Sequence, residues 1–388
     1  MIVNAITFLT FVSSVFVGVV VLYALIGSRI YDVVLYRNSA TQNEQPYQHL
    51  PFITIIVPVR NAEAEIIQFL GELVAVTDRR STILIVDAAS TDQTVRKVRT
   101  FAKQYRNRRV HIRAFRNETD VQKAEKNVEH KLIRGDIVVR IGINERIDRG
   151  TLSRIAHCFA AHKSPNILIP RQTIIFDHTL ISTISIYISY LRQTFLKAHD
   201  GFRVVSVPVR PQIMTIHYYQ RLKHKNWDTS LVTGVAYYRD DIIIYGHAPR
   251  HIYGFLKCFL VDNYLGVQSL FSQLQDKPNG VFNLQSYMDW LFAGIKISFR
   301  FIAIFIPVSL GYFIYLALAL HTPIYLLACG VGVILCLGFM LSEDFQLSSV
   351  EKLRLLVPIP AVLFTFYVLS WLMVVAWIRQ GITSFASN

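Results

Sequence analysis

Apolar and polar positions alternate in blocks along the first third of the chain. Ile53–Val57 and Ile83–Val86 are continuous apolar, β-branched runs, each closed by polar turn residues. Such runs are typical of strands in a parallel sheet that is covered on both faces. Val110–Ala114 and Asp136–Ile141 predict two further strands with helical segments between them. The order of these elements up to about residue 150 predicts an α/β fold.

Helices are predicted between and after these strands. One helix begins near Ala62, and others cover Val121–Ile133 and Thr151–Ala161. A strand is predicted at Asn166–Pro170, and the apolar residues of Leu180–Leu196 recur at helical spacing. The order of elements is therefore mixed from residue 151 onward.

Four long apolar runs flank this α/β segment, at Ala5–Gly27, Phe301–Leu320, Pro323–Leu341 and Leu355–Ile378. At about 1.5 Å per helical residue, each run is long enough to cross a hydrocarbon core of about 30 Å. Arg29 follows the first run instead of preceding it, which favours a permanent anchor over a signal peptide. We therefore expect an integral protein of the cell (inner) membrane, with its main domain cytoplasmic and both termini outside.

The predicted organisation has five parts. They are a transmembrane anchor (1–29), a polar linker (30–50), the α/β domain (51–283), an interfacial helix (284–300) and a region with three transmembrane spans (301–388).

The charge is concentrated in the predicted domain. All but four of the 40 Lys and Arg residues and all but three of the 26 acidic residues lie at positions 30–300, so the basic excess lies there too. Such a field favours phosphorylated ligands and anionic membrane lipids. No nucleic-acid motif occurs, so nucleic acid is not a predicted partner. The four cysteines lack metal-ligand spacing and are predicted to be reduced packing residues.

Polar residues follow the first two predicted strands. Because ligands of open α/β sheets bind beyond the carboxyl ends of the strands, this edge is the predicted binding site. The residues placed there are Pro58, Arg60, Asn61, Asp87, Ser90, Thr91 and Asp92. Asp87 also fits a turn residue that accepts hydrogen bonds from nearby amides. Asp92 also fits an N-cap for a helix that begins at Gln93.

Three segments resemble the membrane-bound family 2 glycosyltransferases. Val57–Glu63 is similar to the family's "IPxYNE" start, and Val86–Thr94 is similar to its "VDDGSTDxT" segment. Lys123, Ala124 and Asn127, followed by Gly135 and Asp136, are similar to its "KAxAxNxGxxxAxGDxxxxxDAD" stretch. The resemblance covers about residues 50–300, and the flanking spans are similar to those of polysaccharide synthases.

The resemblance implies a GT-A fold and a nucleotide-sugar donor, with a UDP-sugar as the leading expectation. It places a set of residues at the nucleotide: Pro58, Arg60, Asn61, Glu63, Asp87, Ser90, Asp92, Lys123 and Arg140. Ala88 stands where the family has a second Asp.

The same register puts the family's metal-binding Asp-x-Asp at Gly142, Ile143 and Asn144, so both carboxylates are missing. Asn144 and Glu145 are the candidate substitutes as ligands of magnesium or manganese. Alternatively, Arg140 and Arg146 supply positive charge to the diphosphate directly, or they belong to a solvated basic face.

The segments predicted to bind the acceptor resemble the family motifs less closely. Segment 233–241 is similar to the "TGxxxxxRRxxL" type, and Trp290 stands at the Trp of "Gln-x-x-Arg-Trp", with Asp289 in place of its Arg. The acceptor-side candidates are Thr233, Gly234, Arg239 and Trp290. Trp290 also fits the apolar face of an interfacial helix. Asp262 retains one acid of the family's Glu-Asp motif and is the predicted catalytic base of an inverting transfer; it also fits an ordinary loop position.

Two functions follow from these observations. The first is sugar transfer from a nucleotide-sugar to a lipid-linked or growing polysaccharide acceptor at the cytoplasmic membrane face. The second is a catalytically inactive homologue that acts as a scaffold or regulatory subunit beside a partner synthase subunit or another copy of itself. The retained motifs favour the first function, and the missing carboxylates favour the second.

Overall fold

The computed structural model of the protein describes residues 22–34, 50–78, 81–105, 110–115, 120–128, 132–160, 165–201, 212–224, 236–257, 259, 315, 348–359 and, with gaps, 361–372. The chain divides into two compact units. One contains the described residues within 30–175 and 199–247, and the other contains those within 22–29, 176–198 and 248–372.

Eight strands form one sheet. They are β1 (Ile53–Val59), β2 (Ser81–Ala88), β3 (Val110–Phe115), β4 (Ile137–Arg140), β5 (Glu145–Ile147), β6 (Ile167–Ile175), β7 (Ile213–Thr215) and β8 (Ala236–His247). Their spatial order is β3-β2-β1-β4-β7-β6-β8-β5.

Helical segments precede, separate and follow these strands. They are α1 (residues 22–34), α2 (Ile66–Val76), α3 (Thr94–Gln104), α4 (Val121–Lys126), α5 (Thr151–Ala160), α6 (Leu180–Gly201), α7 (Ile216–His224), α8 (residues 252–257) and α9 (Ser349–Leu356). The described residues between 359 and 372 are also helical.

Strand direction defines the functional edge of the sheet. β1 pairs in parallel with both β2 and β4, and β2 pairs in parallel with β3. β7 is antiparallel to β4 and to β6, so β6 and its parallel neighbour β8 run in the same direction as β4. The chain therefore leaves β1, β2, β3 and β4 at one edge, called here the carboxyl edge.

The core forms because the central strands are apolar on both faces. Ile55, Ile83 and Val139 are fully buried in one cluster that also contains Phe69 of α2 and Ile155 of α5. Burying apolar side chains of this size stabilises a fold by about 1.5–3 kcal/mol each. The predicted α/β fold is confirmed, and each of the five predicted strands is present.

Some boundaries differ from the predictions. α4 ends at Lys126 instead of continuing to Ile133, because the amide of Val128 bonds to the carbonyl of Glu125 in a tighter turn that closes the helix. α2 begins at Ile66, after a turn in which the carbonyl of Ala62 accepts the amides of Glu65 and Ile66. β6 extends beyond Pro170 to Ile175 because β8 pairs with it along its whole length.

Gly135 and Asp136 have structural roles at the opposite edge of the sheet. The carboxylate of Asp136 accepts the amide of Phe52 at 3.0 Å, and the amide of Asp136 bonds back to the carbonyl of Phe52 at 2.9 Å. A Cβ atom at Gly135 would lie 2.8 Å from the Phe52 carbonyl oxygen and 2.8 Å from the Thr54 amide nitrogen. This close approach explains the Gly-Asp pair, which thus lies away from the carboxyl edge.

A bulge of three residues interrupts the pairing of β8 with β6. The register moves from Pro170 paired with Arg239 to Arg171 paired with Ile243, so residues 240–242 have no counterpart on β6. The phenol of Tyr31 in α1 donates to the carbonyl of Tyr238 at 3.0 Å and accepts from the amide of Asp240 at 3.3 Å. The buried Tyr31 hydroxyl thereby satisfies backbone groups that a neighbouring strand would otherwise pair.

Within the described residues, no helix has both the length and the apolar character needed to cross a membrane. The predicted span at Pro323–Leu341 lies outside the described residues, and that at Phe301–Leu320 is described only at residue 315. Ala5–Gly27 is described from residue 22 onward, and Leu355–Ile378 in part up to residue 372. The four spans therefore stay predictions.

Candidate functional site

Hydrogen bonds join the two loops that leave β1 and β2 at the carboxyl edge. The amide of Asn61 donates to the Ser90 hydroxyl at 2.9 Å, and the amide of Thr91 donates to the Asn61 side-chain oxygen at 2.8 Å. Asn61 and Ala89 both adopt left-handed backbone conformations, with φ of 48° and 49°. Asn tolerates this conformation better than most residues. Asn61 therefore shapes its own loop and positions the next one.

A second set of bonds continues between these loops toward α3. The amide of Glu63 donates to Asp92 at 3.0 Å, and the Glu63 carboxylate accepts the amide of Gln93 at 2.8 Å. The Lys97 ammonium donates to the carbonyl of Glu63 at 2.9 Å. These bonds are reciprocal, so the two loops form one rigid unit.

Asp92 does not occupy the predicted cap position. α3 begins at Thr94 and its N-cap is Gln93, whose side chain makes no cap bond. Asp92 nevertheless accepts the Thr94 amide at 3.0 Å. Burial acts to raise its pKa, but the hydrogen bonds from Thr94 and from the Glu63 amide together outweigh burial, so the pKa of Asp92 is lowered overall. The helix start was predicted one residue too early, because the Asp92 side chain caps from one residue outside the N-cap.

Asp87 is buried at the end of β2, with 1% of its surface exposed. Its carboxylate accepts the Ser90 hydroxyl at 2.5 Å and the Ser90 amide at 3.2 Å. This is the turn role that was one of its two predicted roles. Asp87 thus holds Ser90 in position to meet Asn61.

The turn after β4 carries Gly142, Ile143, Asn144 and Glu145, where the family has Asp-x-Asp. The Glu145 carboxylate folds back and accepts the Gly142 amide at 2.6 Å and the Gln212 side-chain amide at 2.8 Å. Gln172 on β6 donates to Gln212 at 3.0 Å. Burial raises the pKa of Glu145, and the bonds from Gly142 and Gln212 oppose that rise. Glu145 is therefore the centre of a network that ties the turn to β6.

The Glu145 carboxylate also lies directly beside the place of the missing side chain at position 142. A Cβ atom built on Gly142 would lie 3.4 Å from a carboxylate oxygen of Glu145. Asn144, the other predicted substitute ligand, is exposed and neutral. In the described part of the chain, no group of three His, Cys, Asp or Glu residues is arranged to hold a metal ion. The residues present at this turn do not fit the family's divalent cation.

Arg140 is held by a buried ion pair. Its guanidinium donates to both carboxylate oxygens of Glu125 in α4, at 2.5 Å and 2.6 Å. Glu125 is 1% exposed and its carbonyl accepts the hydroxyl of Tyr219 at 3.3 Å. Removing one partner of such a pair costs roughly 3–5 kcal/mol. The Arg140 guanidinium therefore does not lie on a solvated face. The Glu125 carboxylate fixes its position, whether or not a ligand is bound.

Arg146 makes a different pair. It contacts the carboxylate of Glu72 in α2, donates to the carbonyl of Ile143 at 2.9 Å and lies over the ring of Phe69. Arg60 after β1 and Lys123 in α4 are exposed, and Pro58 is half-buried at the end of β1. Among the predicted phosphate-binding cations, Arg60 and Lys123 are therefore the exposed ones.

The acceptor-side predictions are described only in part. Arg239 binds both carboxylate oxygens of Asp241 at 2.8 Å, and the Asp241 carboxylate raises the pKa of Arg239. Burial raises the pKa of the Cys158 thiol in α5 to about 11, and the positive charge of Arg239 opposes that rise. The remaining candidates, Thr233, Gly234, Asp262 and Trp290, lie outside the described residues.

Sequence reasoning did not identify Gln212, Gln172 or Glu125. Gln172 is a polar residue within β6, Gln212 directly precedes β7, and Glu125 lies inside the third motif between Lys123 and Asn127. Only Glu125 carried a signal, because a carboxylate on the apolar side of a short helix needs a buried partner.

Part of the chain matches the model of a known protein family. Residues 54–142 match the family model "Glycosyl transferase family 2", the stretch from β1 to the Gly142 turn. No curated protein matches the sequence.

Two solved structures are among those similar to this chain. The mannosyltransferase PcManGT from Pyrobaculum calidifontis, solved with GDP-Man and Mn2+, has 16% identity and a TM-score of 0.53 over 94% of this chain and 99% of that chain. TarS 1–349 from S. aureus, solved with UDP-GlcNAc, has 14% identity and a TM-score of 0.35 over 66% of this chain and 86% of that chain. The similarity to PcManGT indicates a shared fold. Residues 54–142 therefore match the family 2 glycosyltransferase model, and the chain has a GT-A-like α/β fold.

Proposed function

We propose that the protein transfers a sugar from a nucleotide-sugar, with a UDP-sugar as the first donor to test, to a lipid-linked or growing polysaccharide acceptor at the cytoplasmic face of the membrane. The observation that carries this proposal is the rigid pair of loops at the carboxyl edge, built around Asn61, Ser90 and Asp92 within the segment that matches the family. Preorganised loops at this edge are what binding of a nucleotide requires.

The proposed reaction is a single displacement. The acceptor hydroxyl attacks the anomeric carbon of the donor sugar, the bond from that carbon to the diphosphate oxygen breaks, and the nucleoside diphosphate leaves with the bonding electrons. The hydroxyl proton passes to a carboxylate, for which Asp262 is the candidate base. The product is a glycoside whose anomeric configuration is inverted relative to that of the donor sugar.

The proposed membrane site is supported by the described residues from the end of α9 to residue 371. Val357 and Phe364 are 77% and 68% exposed, and Val368 and Trp371 are exposed on the same face. On the opposite face Leu355, Ile359, Val362 and Leu369 are buried. Spacings of three and four residues put each set on one side of a helix. An apolar stripe turned outward suits contact with lipid acyl chains, which would bring a lipid-linked acceptor to this protein.

The test uses membrane vesicles that contain the full chain. Radiolabelled UDP- and GDP-sugars are supplied one at a time, and label is counted in the lipid extract and in precipitated glycan. We expect incorporation from at least one donor and its loss in Asp262→Asn, a variant that changes one carboxylate to an amide of the same size. Absence of incorporation from every donor, with the protein folded and inserted, would count against transfer.

A second candidate function is a regulatory or scaffolding subunit of a polysaccharide synthase, joined to a partner synthase subunit or to a second copy. The observation in its favour is that Gly142 and Ile143 carry no ligand groups and that Glu145 is bonded inward. This function is tested by calorimetric titration with UDP and GDP. No binding of either nucleotide, together with a synthase that co-purifies from membranes, would favour the subunit over the transferase.

A further inference from the structure

Four acidic residues of the carboxyl edge are engaged by hydrogen bonds within the protein. The carboxylates of Asp87, Asp92, Glu63 and Glu145 each accept at least one hydrogen bond shorter than 3.1 Å. A hard divalent cation needs several oxygen ligands, preferably charged, in one place. To serve as a metal ligand, each of these carboxylates would have to exchange a bond that holds a loop.

Glu145 is the most informative of these groups. It stands where the first carboxylate of Asp-x-Asp would enter, 3.4 Å from the Cβ position of Gly142, yet both its oxygens point to amide donors of Gly142 and Gln212. Its bonds link the turn to β6 through Gln172. This geometry is that of an internal brace and not of an open ligand set.

Exposed basic side chains also lie in the segments at this edge. The loop after β1 carries Arg60, and α4, which follows β3, carries Lys123; both side chains are exposed. Both elements begin at the carboxyl edge, where a diphosphate would lie. Guanidinium and ammonium groups bind phosphate by charge-assisted hydrogen bonds.

We propose that this protein binds its nucleoside diphosphate without a divalent cation: Glu145 braces the 142–145 turn in place of a metal site, and Arg60 and Lys123 neutralise the diphosphate. This inference rests on the proposed function, because it concerns the donor site of that reaction. It makes Glu145 a positioning residue.

The main experiment is calorimetric titration of the full chain in detergent with UDP and GDP, once in EDTA and once in excess Mn2+. We expect the Kd in the two buffers to differ by less than about twofold. A Kd at least tenfold lower in Mn2+ would overturn the inference while leaving the proposed donor binding intact. No binding in either buffer would overturn the proposed donor binding and this inference with it.

Glu145 variants separate a brace from a ligand. In Glu145→Ala, a brace predicts weaker nucleotide binding by the same factor in EDTA and in Mn2+, together with a lower melting temperature; a metal ligand predicts weakening in Mn2+ alone. The double variant Gly142→Asp with Glu145→Ala returns a carboxylate to position 142. We expect it to gain Mn2+-enhanced binding, and a wild type that already shows such enhancement would contradict us.

Lys123→Ala tests the source of charge. A direct phosphate contact predicts about tenfold weaker binding and a smaller dependence of Kd on ionic strength. Lys103→Ala is the matched control, since Lys103 is an exposed lysine at the last turn of α3, where the chain approaches β3 from the opposite edge. Equal affinities for the two variants would refute the role of Lys123.

Discussion

Replacing Gly135 by Ala should destabilise the protein for a reason that the structure makes quantitative. The added Cβ would lie 2.8 Å from the Phe52 carbonyl oxygen, 2.8 Å from the Thr54 amide nitrogen and 2.9 Å from the Thr54 hydroxyl. Two of these neighbours are backbone atoms, one in β1 and one in Phe52 just before it, and Asp136 holds this segment through the Phe52 amide. Overpacking of this kind costs about 1–3 kcal/mol. Because backbone must move, we expect a loss of about 2–3 kcal/mol in the free energy of unfolding.

The matched control is Gly71→Ala, the same chemical change in α2. Nothing lies within 4 Å of a Cβ at Gly71, which is exposed in the middle of the helix. There the substitution should stabilise by about 0.5–1 kcal/mol, because alanine loses less backbone entropy than glycine. Differential scanning fluorimetry of the full chain in detergent measures both variants. For Gly135→Ala the expected fall in melting temperature is about 4–12 °C, and a melting temperature equal to wild type would refute the close-approach argument.

Three further outcomes are expected. Tyr31→Phe removes the hydroxyl that pairs the Tyr238 carbonyl and the Asp240 amide, so it should cost about 1–3 kcal/mol; an unchanged melting temperature would mean that the bulge needs no such partner. Burial raises the pKa of Asp200 from 3.8 to about 6, against a bond from the Tyr238 amide. The contribution of Asp200 to the free energy of unfolding is therefore largest below about pH 4. It falls by roughly 3 kcal/mol as pH rises to 6, because the buried carboxyl group loses its proton. Asp200→Asn should flatten the melting temperature between pH 4 and 7, and an unchanged slope would contradict this cause. Asn61→Ala removes the oxygen that accepts the Thr91 amide and should weaken UDP binding about tenfold; binding equal to wild type would show that this loop bond does not position the site.

The local elements of the fold could be predicted because their signal is local. Unbroken apolar, β-branched runs encode buried strands, and the two polar loops follow directly from where those runs stop. The family motifs fixed the register and so identified the turn at Gly142 before any contact was known. The boundary errors at α2, α4 and β6 arose where a turn or a partner strand decides the last residues of an element, and neither is visible in a local pattern.

Roles within the site depended on residues that are far apart along the chain. The sequence by itself determined the α/β fold, the loops at the carboxyl edge and the loss of Asp-x-Asp. Only the tertiary structure decided that Glu145 fills the place beside Gly142, that Arg140 is paired with Glu125, and that Tyr31 closes a bulge 209 residues away. The role of each of these side chains depends on the atoms that surround it in the folded chain. Packing decides which atoms those are, and sequence distance does not.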